Sequence, residues 1–350
     1  MLPYWILFCL VTFGALTPRR LLPRDRAIVW MVSGAAITIL VGFRHEVGGD
    51  WFNYARQFDL VAGMPLSTAV STTKDLAYYP LGWLIAQMGG GIYWLNLVCA
   101  SLLVIGAMSL AKRQSQPWLA LLAAVPYLLI VVGMAYTRQA AAVGCVMLGL
   151  VALGDHKLRQ FVIWVLIGAA FHKSAVLMIP IAALLSAKNR IWSAAWVSVA
   201  AALGYWLLVH DSSEALWSVY VESDYASASE GAAVRVFMTA IPALIMIVFG
   251  RDLTSDPQER KLWLTMSWLA LACIPMLMLS ATATDRMALF LIPLQLFVFG
   301  NIGRITRSVR VRTMLVMGTV IYYALVQFVW LNFASHASAW LPYRFWLTSL

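Results

Sequence analysis

A chain of 350 residues that is 62% hydrophobic and 11% charged, with a mean hydropathy of +0.80, carries too few polar side chains to cover a soluble globule. That composition excludes a soluble enzyme. The formal net charge of +10 fits the basic loops that flank membrane spans, not a nucleic-acid partner.

The first apolar stretch, LPYWILFCLVTFGAL, is followed by Arg19 and Arg20 and has no basic residue before it. This is the reverse of a secretory signal, so it reads as an uncleaved first span. Apolar runs recur at about 2–16, 27–43, 92–111, 117–134, 138–153, 158–171, 174–187, 191–209, 232–250, 262–280, 287–303 and 313–333. Runs near 20 residues cross a bilayer, and shorter ones cross where they tuck among other helices. The expected fold is therefore all-α and polytopic, with about twelve transmembrane helices in a single domain, 1–350. Between the second and third runs, YYPLGWLIAQMGGG (78–91) is too short for a span and closes on three glycines, which predicts an interfacial or re-entrant helix. Cys9, Cys99, Cys145 and Cys273 lie singly in apolar runs with no CxxC spacing. They read as packing residues, and no metal site is expected.

Alternating the loops puts seventeen of the 25 basic residues on one side, with a net charge of +12 there and −2 on the other. By the positive-inside rule the basic side is cytoplasmic, and both termini lie outside. The long outer segments are then 44–91, which carries the interfacial helices, and 210–231.

Basic residues on the outer side run against that rule and need a reason. Arg44, Arg138, Lys173, Arg235, Arg286 and Arg344 sit at the outer ends of spans, beside polar groups in FRHE, YTRQ, FHKS, TDR and PYR. One reading is snorkelling to lipid headgroups. The other is a cationic pocket, since Arg and Lys match phosphate oxygens and a lipid-linked pyrophosphate suits both depth and charge. His172 and Lys173 interrupt FVIWVLIGAAFHKSAVLMIPIAALL, a hairpin short for two spans, so His172 is expected to be recessed in the outer half of the membrane. Asp285 and Arg286 are adjacent and can also neutralise each other locally.

In GFRHEVGGDWFNYARQFD (42–59), Gly48 and Gly49 allow a tight turn. Asp50, Asn53 and Gln57 then share one face of a short helix, with Trp51, Tyr54 and Phe58 in a neighbouring stripe. The aromatics suit anchoring in the membrane interface or stacking on sugar rings.

These segments together resemble one family. GFRHEVGGDWFNY is similar to the first outer loop of the EpsG family of Wzy-like exopolysaccharide polymerases. AYTRQAAAVG resembles its Arg-Gln helix start, and IGAAFHKSAVLMIPI its Phe-His-x-Ser segment. AAVRVFMTAIP, TDRMALFLIPLQLF and WLPYRFWL resemble its later Arg-containing and Pro-Tyr segments, in order over residues 40 to 345. Gly49 departs from the Thr or Ser common there.

The resemblance implies a GT-C-like fold in the bacterial inner membrane with an extracytoplasmic active site. It also implies a metal-independent glycosyltransferase that moves a glycan chain from undecaprenyl pyrophosphate to a lipid-linked oligosaccharide repeat unit. Donor and acceptor would be undecaprenyl-pyrophosphate-linked oligosaccharides, in contact with membrane lipids, with a chain-length regulator and a Wzx-type flippase as pathway partners and no cofactor. The expected catalytic residues are Asp50, His172, Arg138 and Arg286, with Asp50 and His172 both candidates for the base. The expected substrate-binding residues are Arg44, Tyr54, Gln139, Lys173, Arg235, Asp285, Tyr343 and Arg344. An O-antigen ligase-type enzyme, a membrane acyltransferase and a lipid-linked oligosaccharide transporter are the alternatives.

Overall fold

The computed structural model describes residues 1–17, 22–73, 76–181, 198–199, 202 and 231–348. Among these residues the fold is all helical; the one β contact is an isolated antiparallel bridge between Arg44 and Phe345. The helices are α1 (Leu2–Leu16), α2 (Pro23–Gly42), α3 (Trp51–Ala62), α4 (Leu66–Thr73), α5 (Tyr78–Gln87), α6 (Ile92–Lys112) and α7 (Pro117–Ala135). They continue as α8 (Thr137–Gly154), α9 (Leu158–Phe171), α10 (Ala232–Leu253), α11 (Pro257–Met276), α12 (Ala281–Ala288), α13 (Pro293–Asn301) and α14 (Val309–Phe333).

Six of them, α2, α6, α7, α8, α10 and α14, are long and apolar enough to cross a membrane. A seventh span arises if the pair Ala281–Leu291 and Pro293–Ile305, bent by 43°, is counted as one. The shorter apolar helices α1 and α9 coincide with expected runs. In α11 the opening turn is Gln258-Glu259-Arg260-Lys261, which leaves an apolar part shorter than a full crossing. The expected span 191–209 and the outer loop 210–231 lie outside the described residues apart from isolated positions, as does the second half of 174–187.

The interior is built on close helix contacts. α6 crosses α8 where Gly106 faces Gly144; a Cβ on either would overlap the backbone of the other helix. Small residues at such crossings let backbones approach, which is how helices associate where lipid removes the hydrophobic drive. α7 is the most enclosed of the six candidate spans. Pro126 cannot donate a backbone hydrogen bond, and the chain passes there through a π-helical stretch, Val125–Val132, in which every residue is buried. Buried polar links tie the later helices together: Gln295 donates from Nε2 to Thr239 Oγ1 (3.0 Å) and accepts from the Tyr323 hydroxyl (2.8 Å).

Polar contacts gather at two opposite ends of the bundle. One end holds Arg113–Asp155 (2.6 Å), Asn301 Nδ2 to Gln114 Oε1 (2.7 Å) and the Ser115 hydroxyl to Gly300 O (2.9 Å). The other holds the first loop, the breaks at Tyr136 and His172, the start of α10, α12 and the segment 336–346. The aromatic stripe of α3 faces into the protein: Trp51, Tyr54, Phe58 and Val61 are buried. The periodicity identified the buried face, but the stripe packs on protein and not on the membrane interface.

Candidate active site

Arg138 stands in the first turn of α8, just after Tyr136, whose non-helical backbone (φ −101°, ψ 58°) separates α7 from α8. The start of an 18-residue helix favours an anion through its free N–H groups and its dipole. The Arg138 guanidinium lies in an aromatic box, 5.8 Å from the ring centre of Tyr54, 6.0 Å from Tyr78 and 5.6 Å from Tyr79. Tyr54 also hydrogen-bonds it, and Gln57 fixes the Tyr79 hydroxyl at 2.6 Å. Tyr54, expected at the substrate, is thus buried beside Arg138.

Arg286 comes from α12, whose start is capped by Ser280 Oγ accepting from the Ala283 N–H (3.1 Å). Its guanidinium covers the Tyr136 ring at 4.6 Å. Gln139 holds Arg286 twice: Gln139 Nε2 donates to the Arg286 carbonyl (2.8 Å), and Arg286 Nη1 donates to Gln139 Oε1 (3.1 Å). Gln139, expected to bind substrate, positions the arginine.

Asp50 precedes α3 and makes no backbone capping bond; its side chain hydrogen-bonds Asn53. Arg286 and then Arg138 are the charges that act on it. Burial raises its carboxyl above the ordinary range, and the two arginines only partly offset this.

His172 follows α9 in extended conformation (φ −152°, ψ 115°), so the helix ends there and the imidazole turns inward. Among the described residues its Nδ1 is buried without a hydrogen-bond partner. Burial, then Arg286, Arg138 and Lys173, hold its protonated form down to about 3. The ring is neutral at physiological pH, with Lys173 alongside.

Arg235, in the first turn of α10, is paired through Nε with Asp285 Oδ1 at 2.6 Å, and Asp285 is only 3% exposed. Asp285 is thus paired with Arg235 from another helix. The pair adds little net charge to the site.

Three residues expected to bind substrate have their polar groups engaged elsewhere. Arg44 is 1% exposed, and its guanidinium donates to Val47 O (3.2 Å), Val41 O (2.9 Å) and Thr137 Oγ1 (2.8 Å) over the Trp51 ring. It satisfies orphan carbonyls at the end of α2 and braces the start of α8. Tyr343 donates from its hydroxyl to Leu40 O at 2.8 Å. Arg344 pairs with Glu46, which gives that carboxylate its partner. With the Arg44–Phe345 bridge and the bonds His45 N to Arg344 O (3.0 Å) and Trp346 N to Phe43 O (2.9 Å), these residues dock the segment 340–346 on the first loop.

Tyr78, Tyr79, Tyr136 and Thr137 were not singled out from the sequence. Tyr136 and Thr137 stand beside Arg138 in YTRQ, and the Tyr78-Tyr79 pair opens the predicted interfacial helix, so aromatic neighbours of an outer arginine were the available signal. Among the described residues no group of three or more His, Cys, Asp or Glu is placed to hold a metal.

The helical bundle with a cationic, aromatic-lined site at one end is that of a multi-span membrane protein. A model of the EpsG family matches residues 27–345, and the chain belongs to that family. No curated protein and no solved structure matches it.

Proposed function

We propose that the protein is a glycosyltransferase that polymerises a polysaccharide at the outer face of the bacterial inner membrane, taking the growing chain from undecaprenyl pyrophosphate. The observation that carries this reading is the meeting of Arg138 and Arg286 with Asp50 and His172, from four separate parts of the chain. The orientation follows the basic loops at the opposite end.

In the reaction, the acceptor hydroxyl oxygen of the lipid-linked repeat unit attacks the anomeric carbon of the donor. The bond from that carbon to the pyrophosphate oxygen breaks, and undecaprenyl pyrophosphate leaves with the electron pair. Arg138 and Arg286, with Lys173 nearby, stabilise the charge gathering on the leaving group, an effect worth about 10²–10³ in rate for each well-placed donor.

The hydroxyl proton passes to Asp50. Burial favours its neutral form, so accepting a proton is easier than for an exposed carboxylate. His172 is the weaker base, because protonation would add a fourth cation beside Arg138, Arg286 and Lys173. Its unpartnered Nδ1 instead serves as a hydrogen-bonding group for substrate. Arg44, Gln139, Tyr54, Tyr343, Arg344 and the Arg235–Asp285 pair act by positioning.

The test is purified protein with a synthetic lipid-linked repeat unit. A ladder of rising molecular weight supports the reading. Failure to extend any matched unit, or transfer only to a lipid A core acceptor, overturns it, the latter in favour of a ligase.

A further inference from the structure

The end of the bundle opposite the arginine site contains a cavity of about 480 Å³. Its walls are the last turn of α1 with Thr17, the first turn of α7 with Gln116 and Trp118, and the Gly303–Arg304 turn with Arg312 from α14. Among the described residues no acidic side chain lines it.

Its chemistry is specific. Arg312 donates from Nε to Gly303 O (3.1 Å) and from one terminal nitrogen to Thr306 O (3.4 Å), which holds the guanidinium plane at the cavity and leaves the other terminal nitrogen. Arg304 has no hydrogen-bond or ion-pair partner among the described residues. Gln116 Oε1 is buried there with no donor to it among the described residues. Two guanidinium groups without a carboxylate match the oxygens of a phosphate. A buried acceptor with nothing to accept calls for a hydroxyl beside that phosphate. On the apolar side, Ala15, Leu16 and Leu119 line the wall, and Trp118 meets Trp30 edge-on at 4.8 Å, as aromatic residues do at headgroup depth.

We infer that this cavity binds the headgroup of an anionic phospholipid, its phosphodiester on Arg304 and Arg312 and a headgroup hydroxyl on Gln116. Basic pockets between spanning helices take anionic headgroups in this way. The assignment to the cytoplasmic leaflet rests on the orientation proposed above; the binding itself does not, and it needs no glycan substrate.

The experiment is native mass spectrometry of the full-length protein in detergent, titrated with phosphatidylglycerol or with phosphatidylcholine of the same acyl chains, alongside Tm in the same lipids and in inorganic phosphate. Phosphatidylglycerol is expected to bind saturably and raise Tm, with phosphatidylcholine at least about tenfold weaker. Arg304→Glu should weaken phosphatidylglycerol by about tenfold or more, and the milder Arg304→Gln should weaken it in the same direction. Arg310→Glu makes the same charge change on the exposed surface of α14, outside the cavity, and should leave affinity within about twofold. Equal losses in Arg304→Glu and Arg310→Glu would reduce the effect to diffuse surface charge and overturn the site. Equal binding of the two lipids overturns it as well. The same Tm shift from inorganic phosphate alone, abolished in Arg304→Glu, would replace the lipid with a soluble phosphate as the occupant.

Discussion

Gln139 and Arg286 exchange hydrogen bonds in both directions, side chain to backbone at 2.8 Å and side chain to side chain at 3.1 Å, although 147 residues separate them. The amide has both an acceptor and a donor, and each is used on the same arginine. Gln139→Leu removes both bonds, and Gln139→Glu keeps the acceptor but not the donor. With the neutral bond to the carbonyl worth about 0.5–1.5 kcal/mol and the bond from the guanidinium about 1.5–3 kcal/mol, Gln139→Leu should lower chain growth by roughly tenfold to a hundredfold, measured as initial rate with a lipid-linked repeat unit. The Glu variant should fall between it and the native protein, and full activity in the Leu variant would remove the clamp from the mechanism.

Arg138→Ala and Arg44→Ala should fail in different ways. Arg138 faces Asp50 and His172, so its loss should reduce turnover by about 10²–10³ with normal amounts of protein in the membrane. Arg44 is buried on three protein acceptors. Its loss strands Val41 O, Val47 O and Thr137 and should cost about 3–5 kcal/mol, read as lower Tm and reduced abundance. Arg44→Lys cannot reproduce the fork geometry and should recover little of this.

The pH profile separates the two candidate bases. Raising the Asp50 carboxyl above its ordinary range moves the acid limb upward, because Asp50 must be ionised to take a proton and is protonated as pH falls through that raised value. The lowered His172 value keeps the imidazole neutral across the working range, so it adds no limb near 6.5. The rate of polymerisation against pH should therefore show one acid limb, displaced above the ordinary carboxylate range. His172→Gln should leave its position unchanged, whereas Asp50→Asn should abolish activity. A limb near 6.5 that disappears in His172→Gln would return the base role to the histidine.

Gly48 and Gly49 should tolerate substitution very differently. Gly48 has φ +104°, and a Cβ there would overlap the Met134 carbonyl. Gly48→Ala should therefore distort the approach to Asp50 and abolish chain growth. A Cβ at Gly49 meets nothing within 4 Å, so Gly49→Ser should retain activity within about threefold. Loss of activity in Gly49→Ser would show that the open space beside Asp50 belongs to substrate.

Arg138, His172 and Arg286 were legible because an ionisable group on the outer side of an apolar chain has no topological reason to be there. The same logic could not separate them from Arg44 and Arg344. An arginine that satisfies the last carbonyls of a helix, or pairs with Glu46, breaks the charge rule just as one facing a phosphate does, and only contact distinguishes them. The stripe Trp51, Tyr54, Phe58 was read with the correct period, yet period gives a buried face and not what buries it; the stripe meets Arg44 and Arg138. The sequence offers Asp285 both as a substrate ligand and as a local neutraliser of Arg286, whereas its ion pair with Arg235, 50 residues away, is not visible there. The helical character and most of the long runs followed from hydropathy alone, and the bend at Pro293 did not, since an apolar run looks the same whether straight or broken.

The docking of 340–346 on the first loop bears on how the protein is made. The loop that carries Asp50 emerges early, but the residues that close over it, through Tyr343 on Leu40 and the Arg44–Phe345 bridge, are synthesised about three hundred residues later. A nascent chain stalled partway already holds Arg138, His172 and Asp50 without the segment that braces them. The bracing of the site is therefore complete only once residues 340–346 have been made and inserted.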